Sequence, residues 1–243
     1  MGWSAALMPP KANAFSRAFS PRARARLLEI YAKLSRRFGE RHWWPGDNPF
    51  EVAVGAVLTQ NAAWRNVEKA IANLKARGLV TPEAIAEAPL GELLEALRPS
   101  GYYNVKARRL LSLCAFFLKN GEGGLYPSVL GWPLAKLRPA LLEVPGVGPE
   151  TADCVVLYAA RQPSFVVDAY TKRILSRHGL ANGEESYEET RAWFELNLPR
   201  QTQLYNEFHA LFVAAGHYYC SPRKPKCELC PLGDDPRRAP DLI

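Results

Sequence analysis

The chain has 243 residues, of which 48% are hydrophobic, so it can bury one large core or two modest ones. Its formal net charge of +7 favours a polyanionic partner such as nucleic acid, and much of the basic charge falls in two blocks, Arg17 to Arg41 and Arg223 to Arg238. No apolar run approaches the roughly 18 residues of a membrane span, so we expect no contact with a membrane.

The two ends of the chain indicate where the protein works. Residues 1–20 lack the apolar centre of a signal peptide and are interpreted as a basic, flexible tail. Three of the five cysteines fall within the eleven residues from Cys220 to Cys230, which indicates metal ligands in a reducing compartment rather than a disulfide framework. We therefore expect a cytoplasmic protein that acts on the nucleoid.

Apolar residues recur at helical spacing through most of the chain. Val129-Leu130 and Phe165-Val166-Val167 are short β-like runs, but no alternating strand pattern repeats, and we predict an all-α fold. In chain order, the predicted helices cover Arg22 to Phe38, Val52 to Leu58, Trp64 to Leu74 with Gly78 as a stop, the segment that starts at Thr81-Pro82-Glu83, Val105 to Leu118, Ala152 to Ala159, Ala169 to His178, Glu188 to Leu196 and Leu204 to Ala215.

One turn between two helices carries the most chemical information. In the segment Leu141 to Ala152, the glycines of Pro145-Gly146-Val147-Gly148 allow a tight turn, and Pro149 suits the first position of the next helix. The backbone of Gly146, Val147 and Gly148 would then lie at a helix N-terminus, which can hold an anion such as a DNA phosphate. Asp168 follows twenty residues beyond the turn, where it can face whatever the turn holds or serve as a helix N-cap.

Together these segments resemble the helix-hairpin-helix DNA glycosylase superfamily, and within it the endonuclease III branch. The resemblance spans roughly Phe50 to Cys230 and implies two helical domains with the active site between them. A six-helix barrel is expected near residues 52–162, and residues 21–51 and 163–243 are expected to form the second, cysteine-bearing domain. The matching motifs, in order, are Thr59-Gln60-Asn61, Gly101 to Ala107, the hairpin Leu141 to Ala152, Asp168, and Cys220-x6-Cys227-x2-Cys230.

The resemblance assigns a catalytic role to one acid, Asp168, and is broken at another, Glu150. Asp168 would stabilise positive charge on the sugar while the N-glycosidic bond breaks, and it would orient a water molecule. Glu150 departs from the family, because bifunctional members carry at this position the lysine that attacks C1′. A carboxylate cannot form an imine, and the nearest lysines in sequence, Lys106 and Lys172, do not occupy the matching position. We therefore expect little lyase activity, although Glu150 also suits a helix dipole as an ordinary first-turn acid.

The segment His42-Trp43-Trp44-Pro45, together with the hairpin glutamate, is similar to the 3-methyladenine DNA glycosylase III group. Trp43 and Trp44 can sandwich an extruded cationic alkylpurine, and we place Phe50 in the same pocket. The alternative for both tryptophans is simple core packing.

The resemblance also implies residues that contact the DNA. Gln60 and Tyr102 would enter the gap left by a flipped base, although Gln60 can instead be an amide that bonds nearby backbone. Lys106 is expected to contact DNA, as are Arg223 and Lys224 of the basic loop beside the cysteines.

The cysteine motif implies a cofactor. The family loop, Cys-x6-Cys-x2-Cys-x5-Cys, surrounds a [4Fe–4S] cluster, but here Pro236 stands at the fourth position. We expect Cys220, Cys227 and Cys230 to hold such a cluster, with Asp234, Asp235, His217 or a solvent species as the fourth ligand. A [3Fe–4S] cluster, a zinc ion or no metal at all are the alternatives.

These interpretations predict a monomeric, monofunctional glycosylase that removes alkylated purines from duplex DNA. One alternative is an endonuclease III-like glycosylase acting on oxidised pyrimidines with weak or no lyase activity. Another is a non-catalytic protein that binds lesions or abasic sites.

Overall fold

The computed structural model of the protein describes residues 19–122 and 126–235. The described residues form no β-strand, so the all-α prediction is confirmed. The basic tail up to residue 18 and Pro236 lie outside the described residues. The helices are α1 (Pro21–Phe38), α2 (Pro49–Leu58), α3 (Trp64–Ala76), α4 (Pro82–Glu87), α5 (Leu90–Leu97), α6 (Tyr103–Asn120), α7 (Tyr126–Leu130), α8 (Leu134–Leu142), α9 (Pro149–Cys154), α10 (Ala169–Arg177), α11 (Tyr187–Asn197) and α12 (Thr202–Tyr218).

Side-chain caps begin several of these helices, among them the start at Thr81 that the sequence predicts. The Asn48 side chain accepts a hydrogen bond from the amide of Glu51 at the start of α2, and Thr81 accepts one from Ala84 at the start of α4. Both helices, like α1 and α9, have proline in the first turn, where its missing N–H costs nothing.

Two groups of helices pack on either side of α9. Helices α2 to α6 contact one another on one side, and α1, α10, α11 and α12 contact one another on the other. A wide turn of π-helix, Val155–Ala159, continues α9 and contacts both α2 and α12. The division into domains at residues 52–162 stays a prediction, and its first boundary falls inside α2.

Aromatic rings fill the core beside α12. Phe165 stacks on Phe194 of α11 with 3.9 Å between ring centroids, and Phe208 stacks on Phe212 with 4.7 Å. Phe165 lies three residues before Asp168, so this stacking anchors the segment that presents the acid. None of the described helices combines the length and the apolar character needed to cross a bilayer.

The β-like interpretation of Val129-Leu130 is wrong, because both residues lie in α7 and are buried. A run of two β-branched or apolar residues cannot distinguish a strand from a buried helix face. Phe165-Val166-Val167 belongs to no helix and pairs with no strand among the described residues.

Candidate active site

The hairpin forms as its sequence predicts. Gly146 adopts φ +88°, a left-handed conformation that favours glycine, and Gly148 caps α9 in an extended conformation. A Cβ atom at Gly146 would overlap the side chain of Arg109 on α6, so the close approach of Arg109 also requires glycine here. The turn lines an open cleft of about 730 Å³ that also includes Glu150 and Tyr187.

Gln60 bonds directly to this hairpin. Its Nε2 donates to the carbonyl of Gly146 at 3.1 Å and to Oγ1 of Thr151 at 2.8 Å. Its Oε1 accepts a short hydrogen bond from Nη1 of Arg109. The amide therefore ties the end of α2 to the hairpin, and its entry into a base gap stays a prediction.

Asp168 is nearly buried and caps α10, as the sequence predicts. Its Oδ1 accepts a 2.7 Å hydrogen bond from the amide of Thr171, and only 9% of the residue is exposed. Burial alone would raise the pKa of this carboxyl, but His209 and the Thr171 amide outweigh burial and hold the pKa below its ordinary value. Asp168 is therefore ionised across the neutral pH range.

His209 of α12 approaches Asp168 from the opposite side. Its Nε2 lies 3.7 Å from Oδ2 of Asp168, beyond a good hydrogen bond but within range of a strong electrostatic interaction. Its Nδ1 lies 2.5 Å from the hydroxyl of Tyr158. Burial, followed by nearby negative charge, raises the pKa of Tyr158 well above its ordinary value, so this hydroxyl keeps its proton and can donate it to Nδ1. In the tautomer in which Nδ1 accepts this hydrogen bond, the imidazole N–H lies on Nε2, towards the acid.

Glu150 lies in the first turn of α9, open to the cleft. Desolvation by the surrounding protein, followed by the negative charge of Asp168, raises the pKa of Glu150 to about 7. Water screens part of this effect because the side chain is exposed. The pKa values of the two acids are therefore shifted in opposite directions. Asp168 is held in its ionised form, and the neutral form of Glu150 is favoured. Such divergence is typical of carboxyl pairs with different roles in catalysis.

A buried carboxylate, Asp153, holds α9 in place. It accepts two hydrogen bonds from Arg138 of α8, at 2.8 and 2.9 Å, and one from the hydroxyl of Tyr187 at 2.9 Å. The hydroxyl of Ser164 donates a further 2.5 Å hydrogen bond. Asp153 thus fixes the hairpin helix to the segment that leads to Asp168.

Four aromatic rings form a cluster beside His209: those of Trp43, Trp44, Trp64 and Tyr158. Trp43 and Trp44 contact each other and Trp64 of α3, with centroids 5.1 to 5.3 Å apart, and Trp44 lies 5.4 Å from Tyr158. Glu207 of α12 anchors the approach to this segment by accepting hydrogen bonds from the backbone amides of residues 41 and 42. Both tryptophans are partly buried, and their role as a base pocket stays a prediction.

Phe50 does not join this cluster. It is 1% exposed and packs against Phe117 and Tyr126, with centroids 6.3 and 5.6 Å away. Its assignment to the base pocket is therefore not supported: Phe50 is a core residue on the side of α2 that faces α6. Phe50 is close to Trp43 and Trp44 in sequence but does not pack with them, because α2 begins between Trp44 and Phe50.

Tyr102 and Lys106 occupy opposite environments. Tyr102 is 72% exposed and adopts a left-handed conformation at the start of α6, which projects the loop outward. Lys106 is only 1% exposed, and its Nζ donates to the carbonyls of Leu58 and Ser100 at 2.9 and 2.6 Å. The expected contact of Lys106 with DNA is not supported by this burial. Instead the ammonium joins the end of α2, before Gln60, to the turn before Tyr102.

The three cysteines surround one small cavity at the end of α12. Cys220 is buried, and Cys227 and Cys230 flank a short 3₁₀ turn, Cys227–Leu229. Arg223 and Lys224 are exposed in the adjoining loop, as a contact with a polyanion requires.

Sequence reasoning missed the functional potential of four residues. His209 lies beside Asp168, Tyr158 contacts His209, Trp64 completes the aromatic cluster, and Asp153 anchors α9. Each appears in the sequence as an ordinary helical residue. Asp153 alone offers a signal, since a carboxylate on an otherwise apolar helix face is buried only with partners.

Comparison with known proteins identifies the family to which this chain belongs. Residues 54–200 match the HhH-GPD superfamily of base excision DNA repair proteins, and residues 220–235 match the iron-sulfur binding domain of endonuclease III. The chain is 42% identical over 206 residues to a candidate DNA repair glycosylase of Methanocaldococcus jannaschii (MJ1434), covering 85% of this chain and 93% of that protein.

Solved structures show the same fold. A non-covalent endonuclease III–DNA complex has a TM-score of 0.72 at 27% identity, covering 86% of this chain and 92% of that one. The H. pylori 3-methyladenine DNA glycosylase MagIII bound to 1,N6-ethenoadenine has a TM-score of 0.69 at 28% identity, covering 80% and 97%. The protein is therefore a member of the HhH-GPD superfamily of base excision DNA repair glycosylases and carries an iron-sulfur binding segment of the endonuclease III type.

Proposed function

We propose that the protein is a monofunctional DNA glycosylase that removes alkylated purines from duplex DNA. The observation that carries the proposal is a pair of acids: Glu150 in the first turn of the hairpin helix, and buried Asp168 at the start of α10. A pair of this kind suits hydrolysis, in which one group stabilises positive charge and the other moves a proton.

In this reaction the bond between C1′ and the base nitrogen breaks, and its electron pair leaves with the base. Ionised Asp168 stabilises the positive charge that develops on the sugar. The oxygen of a water molecule bonds to C1′, and the water's proton passes to ionised Glu150. A cationic alkylpurine leaves as a neutral base, so no protein acid has to protonate it.

The positions of the nearby amines support hydrolysis over imine formation. Lys106 is buried and donates to two carbonyls, and Lys172 donates to the carbonyl of Glu185 at 3.0 Å. Each ammonium is thus committed to a structural contact. At the hairpin itself the chain carries Glu150, which cannot attack as an amine.

The aromatic cluster supports a purine substrate. Stacking and cation–π attraction stabilise a flat, positively charged base against indole rings by about 0.5 to 2 kcal/mol per contact. MagIII, a structural relative, was solved with 1,N6-ethenoadenine, a modified purine. The DNA complex of endonuclease III supports duplex DNA as the partner.

The test is base release from matched duplexes that carry either 7-methylguanine or thymine glycol. We expect release of the alkylpurine, loss of that release in Asp168→Asn, and unchanged duplex affinity in this variant. A Trp43→Ala variant should lose turnover of the alkylpurine. Release in Asp168→Asn at the wild-type rate would contradict the assignment of the acid.

An endonuclease III-like activity on oxidised pyrimidines is the second candidate, favoured by the match of residues 220–235 to the endonuclease III iron-sulfur domain. Release of thymine glycol but not of the alkylpurine, with no effect of Trp43→Ala, would select it. Binding of both duplexes without any release would favour a non-catalytic protein.

A further inference from the structure

The cysteine loop provides one ligand fewer than the family motif. Pro236 stands five residues beyond Cys230, where the motif has its fourth cysteine, and proline has no side-chain ligand atom. A four-ligand cluster in this chain therefore requires a donor other than a cysteine at this position.

One histidine borders the same cavity as the three thiols. His178, which follows the last turn of α10, lines this cavity together with Cys220, Cys227 and Cys230. It is only 6% exposed. Imidazole is a good ligand for iron, and histidine replaces cysteine in known iron–sulfur centres.

A carboxylate orients this histidine. Nδ1 of His178 lies 2.6 Å from Oδ2 of Asp235, and the same carboxylate is bound by Arg26 of α1. Histidines that bind metals almost always use one ring nitrogen in this way, which fixes the ring and the tautomer. When Nδ1 holds the proton shared with Asp235, Nε2 is the nitrogen with a lone pair for a metal.

The donor set fits an iron–sulfur site. Nη1 of Arg177 donates to Sγ of Cys220 at 3.1 Å, so this sulfur is held in place at the edge of the cavity. Among the residues that the structure describes, no three His, Cys, Asp or Glu side chains converge tightly enough to hold a single ion. In an iron–sulfur cluster each side chain binds a different iron, so the ligands surround a cavity rather than converge on one ion.

We infer that His178 is the fourth ligand of an iron–sulfur cluster held by Cys220, Cys227 and Cys230, and that Asp235 positions its ring. When bound, such a cluster would hold the loop against α10 and α12. This assignment concerns the cofactor alone and does not depend on the substrate proposed above.

The other side chains suggested by the sequence are placed less well. Asp234 is exposed and pairs with Lys33 of α1 at 3.0 Å. His217 is exposed at the end of α12, against the ring of Tyr218. Asp235 is committed to Arg26 and His178.

The direct test is pulsed electron paramagnetic resonance on the full-length protein, purified without oxygen, reduced, and labelled with ¹⁵N-histidine. We expect a directly coordinated histidine nitrogen, visible as a strong ¹⁵N coupling, and iron and sulfide contents of a [4Fe–4S] cluster. Absence of the coupling in a cluster-loaded protein would overturn the assignment. A colourless protein that contains zinc and no iron would overturn it as well.

Variants provide an independent test. His178→Ala should lose the four-iron spectrum. His178→Cys should keep this spectrum but lose the ¹⁵N coupling. Its reduction potential should be lower than that of wild type, because histidine ligation raises the potential. His217→Ala is the matched control and should behave as wild type. A full four-iron spectrum in His178→Ala would contradict the inference, and His178→Cys keeps the test decisive if the alanine variant fails to fold.

Discussion

Nε2 of His209 lies 3.7 Å from Oδ2 of Asp168, and its other ring nitrogen contacts the hydroxyl of Tyr158. These contacts link α12 to the acid that begins α10. The electrostatic interaction lowers the pKa of Asp168 in spite of its burial. We therefore expect His209 to act through Asp168, as a positioning residue that keeps the acid ionised.

Substitution of His209 should weaken catalysis without preventing DNA binding. We expect His209→Ala to lower kcat by about 100-fold, the scale of losing one preorganised electrostatic contact, with little change in KM. The acidic limit of the rate profile should also move to higher pH, because His209 lowers the pKa of both Asp168 and Glu150. Single-turnover rates between pH 4 and pH 8 measure both effects. A uniform loss of rate with an unchanged profile would indicate a merely structural role.

The pH dependence of wild-type activity should report Glu150. Because the pKa of Glu150 is raised to about 7 and only its ionised form can take a proton from water, the rate should rise through neutral pH. Glu150→Gln should remove this rise and lower the rate by about 100-fold or more. A wild-type profile that is flat between pH 6 and pH 8 would exclude Glu150 as the base.

The same ionisation has a defined effect on stability. The folded pKa is about 7 and the ordinary value is 4.5, so the folded protein holds this proton more tightly than the unfolded chain does. The stability that Glu150 contributes is therefore complete below pH 4.5 and is lost as the pH rises to about 7. The difference in Tm between Glu150→Gln and wild type should therefore increase in favour of the variant between pH 4.5 and about pH 7, and stay constant at higher pH.

Lys106 should matter for stability and loop position rather than for phosphate binding. Lys106→Met leaves the carbonyls of Leu58 and Ser100 without their donor, which we expect to cost about 1 to 3 kcal/mol. Affinity for lesion DNA should fall, but the slope of log affinity against log salt should stay as in wild type. The exposed neighbour Arg108 gives the control, since Arg108→Met should leave Tm unchanged. A shallower salt slope in Lys106→Met would mean that the lysine reaches a phosphate.

Asp153 should be among the most sensitive positions in the chain. Asp153→Asn removes the charge that pairs with Arg138 in a buried site, and we expect a loss of about 3 to 5 kcal/mol in the free energy of unfolding. Glu143→Gln, on the exposed side of the hairpin, should change stability by less than about 0.5 kcal/mol. Urea unfolding followed by circular dichroism measures both. Equal midpoints for the two variants would contradict the anchoring role of Asp153.

Local signals predicted most of the helices. Apolar spacing and capping residues such as Thr81 and Asp168 act over three or four neighbouring positions, so the sequence contains them directly. The hairpin was equally accessible, because the conformations of Gly146 and Pro149 are properties of those residue types.

The rest of the site depends on contacts between distant segments. His209 and Asp168 are 41 residues apart, and His178 and Asp235 are 57 apart. No local pattern pairs such residues, which is why both histidines looked like ordinary helix residues. The burial of Phe50 and Lys106 has the same origin, since the packing of α6 against α2 decides it.

The most direct test of the account is strand cleavage at an alkylated purine, measured before and after alkali, together with borohydride trapping. Wild type should release the base, leave an intact strand until alkali is added, and form no covalent adduct, because its hairpin carries a carboxylate. Glu150→Lys restores an amine at this position and serves as the positive control for trapping. A borohydride adduct or direct strand cleavage with the wild-type protein would contradict hydrolysis by Asp168 and Glu150.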